Sequence, residues 1–143
     1  MRQIVREEAN CEMIAAELRT RIEAFNERVV GALNTREIVL TVRDDAGNLI
    51  AGLTGEMFWN VLHVDVLWVD ENHRDKNHGT ELLKHAEHLA ADQSCEAVYL
   101  STFGFQAPGF YSKQGYNVIG DLPDVPKHSM RRWFWKRLPS PAV

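Results

Sequence analysis

Between Val69 and Thr80 the chain gathers residue types that bind phosphate. The run Asp70-Glu71-Asn72-His73-Arg74-Asp75-Lys76-Asn77-His78-Gly79-Thr80 joins an apolar, β-branched stretch, Leu62 to Val69, to a stretch with helical apolar spacing from Leu82 to Ala90. A helix start exposes backbone N–H groups without intrahelical partners and carries partial positive charge. With Arg74, Lys76 and Gly79 beside it, such an end suits a phosphate-bearing ligand. Strand-to-helix loops of this composition are common, and taken alone this one favours the reading of an ordinary solvated connection. His85 and His88 lie three apart with no third ligand in view, so they read as a solvated helix face and no metal is expected.

The totals limit what the chain can be. Its 143 residues suit one domain, and 45% hydrophobic residues suffice for a core. The net charge of −4 and the absence of a basic stripe argue against nucleic-acid binding. The two cysteines, Cys11 and Cys95, form neither a disulfide framework nor a zinc site, and a reducing cytoplasm is the simplest setting. The charged start shows no signal-peptide pattern, and no apolar run approaches the ~20 residues of a membrane helix. No membrane partner is expected.

These residues need elements to position them. Residues 2–7 read as a short strand. Residues 10–32 read as a helix with Asn10 at its N-cap; Ile14, Leu18, Ile22, Phe25 and Val29 form one apolar stripe, expected to pack on a sheet. Glu37 to Asp44 and Leu49 to Trp59 read as a hairpin around the turn at 44–48. Leu62 to Val69 reads as a strand with Val64, Val66 and Trp68 on one face and His63, Asp65, Leu67 and Val69 on the other. A helix follows, with Leu82, Leu83, Ala86, Leu89 and Ala90 on its apolar face. Ala97 to Thr102 is a strand, Pro108 to Lys113 a short helix with Gly115 as its stop, and Tyr116 to Ile119 and Arg131 to Arg137 are closing strands. The fold class is α/β with a central mixed sheet of about six to seven strands flanked by helices, in the order β-α-β-β-β-α-β-α-β-β. A right-handed crossover makes the strands at 62–69 and 97–102 parallel neighbours. One domain is expected over residues 1–138, with 139–143 a frayed tail. The hairpin at 37–59 and the aromatic last strand are candidate surfaces for a homodimer.

Two motifs and this order resemble the GNAT superfamily of acyl-CoA N-acyltransferases. Val69 to Thr80 is similar to the family's pyrophosphate loop, Arg/Gln-x-x-Gly-x-Gly/Ala. Phe110-Tyr111-Ser112-Lys113-Gln114-Gly115-Tyr116 is similar to its Phe-Tyr-x-x-x-Gly-Phe/Tyr signature. Phe103 to Pro108 and the ending Trp133 to Leu138 look like a small bacterial subgroup. Asn77 stands where the family has its first loop glycine, and Asn is among the few other residues that enter the left-handed region. Asp75 places a negative charge where a neutral residue is usual, offset by Arg74 and Lys76.

The resemblance implies transfer of an acetyl group from acetyl-CoA to a primary amine, on a small molecule or a peptide, by direct transfer in a ternary complex. The alternative is a non-catalytic acyl-CoA-binding module or sensor, motivated by Asn77 and Asp75. Leu67, Trp68 and Val69 would present backbone to the pantetheine arm and thioester carbonyl, an oxyanion-type device. Arg74, Asp75, Lys76, Asn77, His78, Gly79 and Thr80 would cradle the pyrophosphate. Tyr111 would donate to the cofactor sulfur, a role that suits a phenol with its ordinary pKa of about 10; without the family it reads as a packed side chain. His63 and Asp65 are the candidate general bases, with an ordinary polar pair the equal alternative, and Glu56 is a further candidate. Gln106, Ser101 and Thr102 sit where the parallel strand ends, a usual place for ligands. Trp59, Trp68, Trp133 and Trp135 read mostly as packing.

Overall fold

Alternating β-branched residues make an antiparallel hairpin at one edge of the sheet in the computed structural model, which describes residues 1–139. Strand β1 (Arg36–Arg43) runs into an Asx turn in which the Asp44 carboxylate accepts from the backbone of Ala46 and Asn48. Strand β2 (Leu49–Phe58) returns along it and β3 (Val61–Val69) follows. Helix α2 (His78–Asp92) leads to β4 (Ala97–Phe103), the four-residue helix α3 (Phe110–Lys113), β5 (Asn117–Pro123) and β6 (Met130–Arg137). The sheet order is β1-β2-β3-β4-β6-β5. Every neighbouring pair is antiparallel except β3 and β4, which are parallel as the crossover rule requires.

The chain divides into two compact units, Met1–Leu33 and the portion from Asn34 onward. The first contains helix α1 (Cys11–Val30), closed by Gly31 at φ 92°. Asn10 sits at the expected N-cap position, but it is left-handed and its side chain makes no cap hydrogen bond. One expectation fails here. Residues 2–7 form no strand, so the order is α-β-β-β-α-β-α-β-β and the sheet has six strands; adjacent Ile4 and Val5 are both exposed, without the alternation a half-buried strand needs. Within its own unit the apolar stripe of α1 has no cover: Leu18, Ile22, Phe25 and Val29 are left exposed there. A unit this small cannot bury a 20-residue helix's stripe by itself.

In the second unit α2 and α3 share one face of the sheet. Leu82, Leu83, Ala86 and Ala90 pack on Ile38, Leu53, Leu62, Val64, Val98 and Leu100, and Tyr111, Tyr116 and Phe134 complete this core. Leu53, Leu62, Leu83, Val98 and Leu100 are essentially inaccessible, each burial contributing roughly 1.5–3 kcal/mol.

One irregularity redirects β3. Thr54 pairs with Val66 and Gly55 with Val64, leaving Asp65 as an extra residue, a β-bulge. The expected alternation therefore breaks. Val64, Leu67 and Val69 face the core, while Val66 and Trp68 lie exposed on the far side. Simple period-two counting cannot anticipate an inserted residue. Gly55 makes room beside the bulge: a Cβ there would lie 2.8 Å from the His63 carbonyl oxygen and 3.2 Å from Leu62 Cδ1. Gly55→Ala is expected to destabilise the fold by about 1–3 kcal/mol, read as a lower urea midpoint; an unchanged midpoint would show that the bulge has no fixed geometry.

Candidate active site

Strands β3 and β4 pair only at Val61–Ala97, Leu62–Val98 and His63–Tyr99. Beyond these positions both strands continue, to Val69 and Phe103, without pairing to each other. The bulge at Asp65 bends β3 where the parting starts. Parted strands leave backbone N–H and C=O groups that need other partners. Between them lies a cavity of about 190 Å³. Val64 to Leu67 form one wall, Leu100 to Thr102 the other, and Gln106, Ala107 and Tyr111 close it.

Tyr111 reaches the cavity from α3. Its ring is 8% exposed and packs edge-on against Phe110 and Tyr116, with Phe134 also in contact. The Phe-Tyr-x-x-x-Gly-Tyr spacing is a helix terminator. Gly115 takes φ 90° and its N–H donates to the Ser112 carbonyl, while the Tyr116 N–H donates to the Tyr111 carbonyl, a Schellman closure that needs glycine. The phenol hydroxyl has no hydrogen-bond partner among the described residues. Burial pushes its pKa up to about 12, so it remains a proton donor across neutral and mildly alkaline pH.

The polar loop forms the other end. A single 3-10 turn, Glu71–His73, is capped by Asp70, whose carboxylate accepts from the Asn72 N–H and contacts His73 Nδ1 at 2.9 Å. That contact lowers the Asp70 pKa. Asn77 adopts φ 62° and ψ 16°, the left-handed conformation expected at the position of the family's glycine. His78 opens α2, and its Nδ1 is buried without a partner. A Cβ on Gly79 would meet the Phe110 ring at 3.4 Å and Val69 at 3.7 Å, so this glycine lets α2 approach β3 and α3 closely. Arg74 Nε reaches the Val69 carbonyl at 3.4 Å, and Thr80 Oγ1 accepts from Gln114 of α3 at 3.0 Å.

The expected site residues thus divide. Asp65, Leu67, Gln106 and Tyr111 line the cavity. The Gln106 side-chain oxygen is already engaged, accepting from Thr102 Oγ1 and from the Phe103 N–H. His63 lies at the closed end, stacked on Tyr99 at 4.7 Å and paired in register with Glu56; it does not line the cavity. Trp68 is 43% exposed and also lies outside it. Arg74, Asp75, Lys76 and Asn77 lie on the exposed loop before α2.

A model of the Acetyltransferase (GNAT) family matches residues 2–116. The chain is 41% identical over 83 residues to the blasticidin-S acetyltransferase of Streptomyces morookaense; that match covers 57% of this chain and 61% of the relative, under two thirds of its length. It is 28% identical over 120 residues to an acetyltransferase of Agrobacterium fabrum, covering 84% of this chain and 88% of that one. The crystal structure of an acetyltransferase from Bacillus cereus ATCC 14579 matches with a TM-score of 0.87 at 32% identity, over 94% of this chain and 98% of that one.

Beneath the cavity is a polar cluster that the apolar spacing did not foretell. Glu87 is 8% exposed and accepts from the Tyr116 hydroxyl at 2.7 Å and from Lys136 Nζ at 2.9 Å. Lys136 also donates to the Gln114 carbonyl. Burial, with the Glu87 carboxylate alongside, pushes the Tyr116 pKa up, which keeps this hydroxyl a donor. The signal was present: Glu87 falls inside the stripe of Leu83, Ala86 and Ala90. Removing one partner of a largely buried pair strands the other. Glu87→Ala is expected to cost about 2–4 kcal/mol, and in a double-mutant cycle with Lys136→Met the two losses are expected to sum to more than the double variant loses. Strictly additive losses in chemical denaturation would show that the pair is not coupled.

Proposed function

This chain belongs to the Acetyltransferase (GNAT) family, and from that premise we propose that it transfers an acetyl group from acetyl-CoA to a primary amine by direct transfer in a ternary complex. The observation that carries the reading is the parting of β3 from β4 around a cavity that Asp65 and Tyr111 both line. Features on both sides of it fit the donor. The cavity walls include backbone without a strand partner, suited to a pantetheine chain. The left-handed Asn77, the close-packed Gly79 and the buried, unbonded His78 Nδ1 sit at the start of a 15-residue helix, where backbone N–H groups and the dipole favour a pyrophosphate. Residues Arg74 to Thr80 would hold that group.

Bound acetyl-CoA supplies an activated acyl carbonyl and a thiolate leaving group. The chain's own residues supply the rest. An N–H from the opened edge of β3 near Leu67 would polarise the carbonyl oxygen. Asp65, exposed at the bulge and facing the cavity, would accept the amine's proton directly or through water. Tyr111 would donate its hydroxyl proton toward the departing sulfur. His63, stacked on Tyr99 outside the cavity, would at most act through water. The acceptor is an amine on a small molecule or a peptide, a homodimer is the proposed assembly, and a reducing, cytoplasmic setting suits the free Cys11 and Cys95.

Tyr111→Phe is expected to lower kcat by about 10²-fold or more while changing acetyl-CoA affinity by less than about threefold, measured by thiol release and calorimetry. Equal loss of both would remove the acid role. Because the phenol stays protonated to about pH 12, its ionisation is expected to produce no alkaline fall in kcat below about pH 11. Asp65→Asn is expected to lower kcat at least about tenfold, measured by thiol release. Tight acetyl-CoA binding without acetylation of any amine in a broad panel would instead identify a non-catalytic binding module.

A further inference from the structure

Arg131, at the start of β6, lies across from Phe103 of β4 in the ladder. Its guanidinium carbon lies near two rings, 5.6 Å from the Phe103 centroid and 4.9 Å from that of Trp133. Its Nε donates to Ser101 Oγ at 2.9 Å, and Ser101 is part of the cavity wall. One hydrogen bond therefore separates this cation from the place where transfer is proposed. The Ser101 bond uses Nε, which leaves the Nη edge with its N–H donors.

That edge has no anion. Among the described residues the ion pairs are Arg21–Glu17, His73–Asp70, Arg132–Asp121 and Lys136–Glu87. The neighbouring Arg132 receives both oxygens of Asp121, at 2.6 and 2.9 Å. A chain with 20 acidic residues and a net charge of −4 thus supplies a carboxylate to Arg132 and none to Arg131. A half-buried guanidinium with an unsatisfied fork matches a carboxylate in shape and charge. The position also suits the second substrate. Leu100 faces the core with α2 and α3, so Ser101, Phe103 and Arg131 present the opposite side of the cavity from the start of α2, where the donor's pyrophosphate would sit.

We propose that Arg131 recognises a carboxylate on the acceptor, so that the amine acetylated here belongs to the amino acids and their carboxylate-bearing derivatives. This rests on the acetyl-transfer reading of the same cavity. Phe103 and Trp133 lie near the guanidinium, Ser101 accepts from its Nε, and the acceptor's carboxylate completes the fork while its amine reaches Asp65.

The test is thiol release from acetyl-CoA with a panel of amino acids, each beside its carboxamide, for the wild type, Arg131→Met and Arg131→Lys. The ratio of kcat/KM for acid over amide is compared between proteins, which cancels differences in amine basicity. The wild type is expected to favour the acid in at least one pair, and Arg131→Met to reduce that ratio at least about tenfold, chiefly through KM. Arg131→Lys, which keeps charge but not the fork, is expected to fall between them. Acid and amide used equally by the wild type, or a ratio unchanged in Arg131→Met, overturns this inference and leaves acetyl transfer standing. No thiol release with any member of the panel, together with no thermal shift on adding acetyl-CoA, overturns both.

Discussion

A parallel strand pair that stops pairing after three positions is costly unless something else uses the freed backbone. Here β3 and β4 run together from Val61 to His63 and then part. The opened edges cannot be left dry, because a buried peptide group without a partner loses about the worth of a hydrogen bond or more. The gap therefore admits water or a ligand that brings its own hydrogen-bonding groups. Everything proposed about function follows from that opening: the cavity lies in it, Asp65 stands at the bulge that begins it, and Tyr111 closes it from α3.

The opening must be held apart from below, and the chain does so with packing and a polar clasp. Tyr111 is wedged among Phe110, Tyr116 and Phe134. Glu87 of α2 joins Tyr116 and Lys136, and Gln114 ties α3 to Thr80 near the start of α2. The helix whose first turn would hold the phosphates is thus bonded to the short helix that carries the phenol.

Charge is distributed with equal economy. The face of the sheet away from α2 and α3 carries Arg131 and Arg137 against the rings of Trp133 and Trp135, whereas Arg132, on the other face of β6 with Phe134 and Lys136, is paired with Asp121. Where Asp121 satisfies Arg132, the result is a strand-to-strand brace; where no carboxylate comes, as at Arg131, the guanidinium lies against aromatic rings instead. The acidic surplus of the chain is spent elsewhere, in the helices and loops.

Much of this was legible in local pattern. Period-two alternation located the hairpin, apolar spacing located α1 and α2, and the glycine of Phe-Tyr-x-x-x-Gly-Tyr marked where α3 ends, because each depends on neighbours within a few residues. Asn77 was readable too, since its left-handed φ is a property of the residue itself. What the chain could not reveal locally was the bulge at Asp65, which broke the alternation that put Val66 and Trp68 on the face of Val64, or the pairing of His63 with Tyr99 that keeps it outside the cavity. Nor could it reveal the missing first strand, the Glu87 clasp or an Arg131 without an ion-pair partner among the described residues. These depend on pairing register and on partners tens of residues away, and such contacts exist only once strands and helices have been brought together.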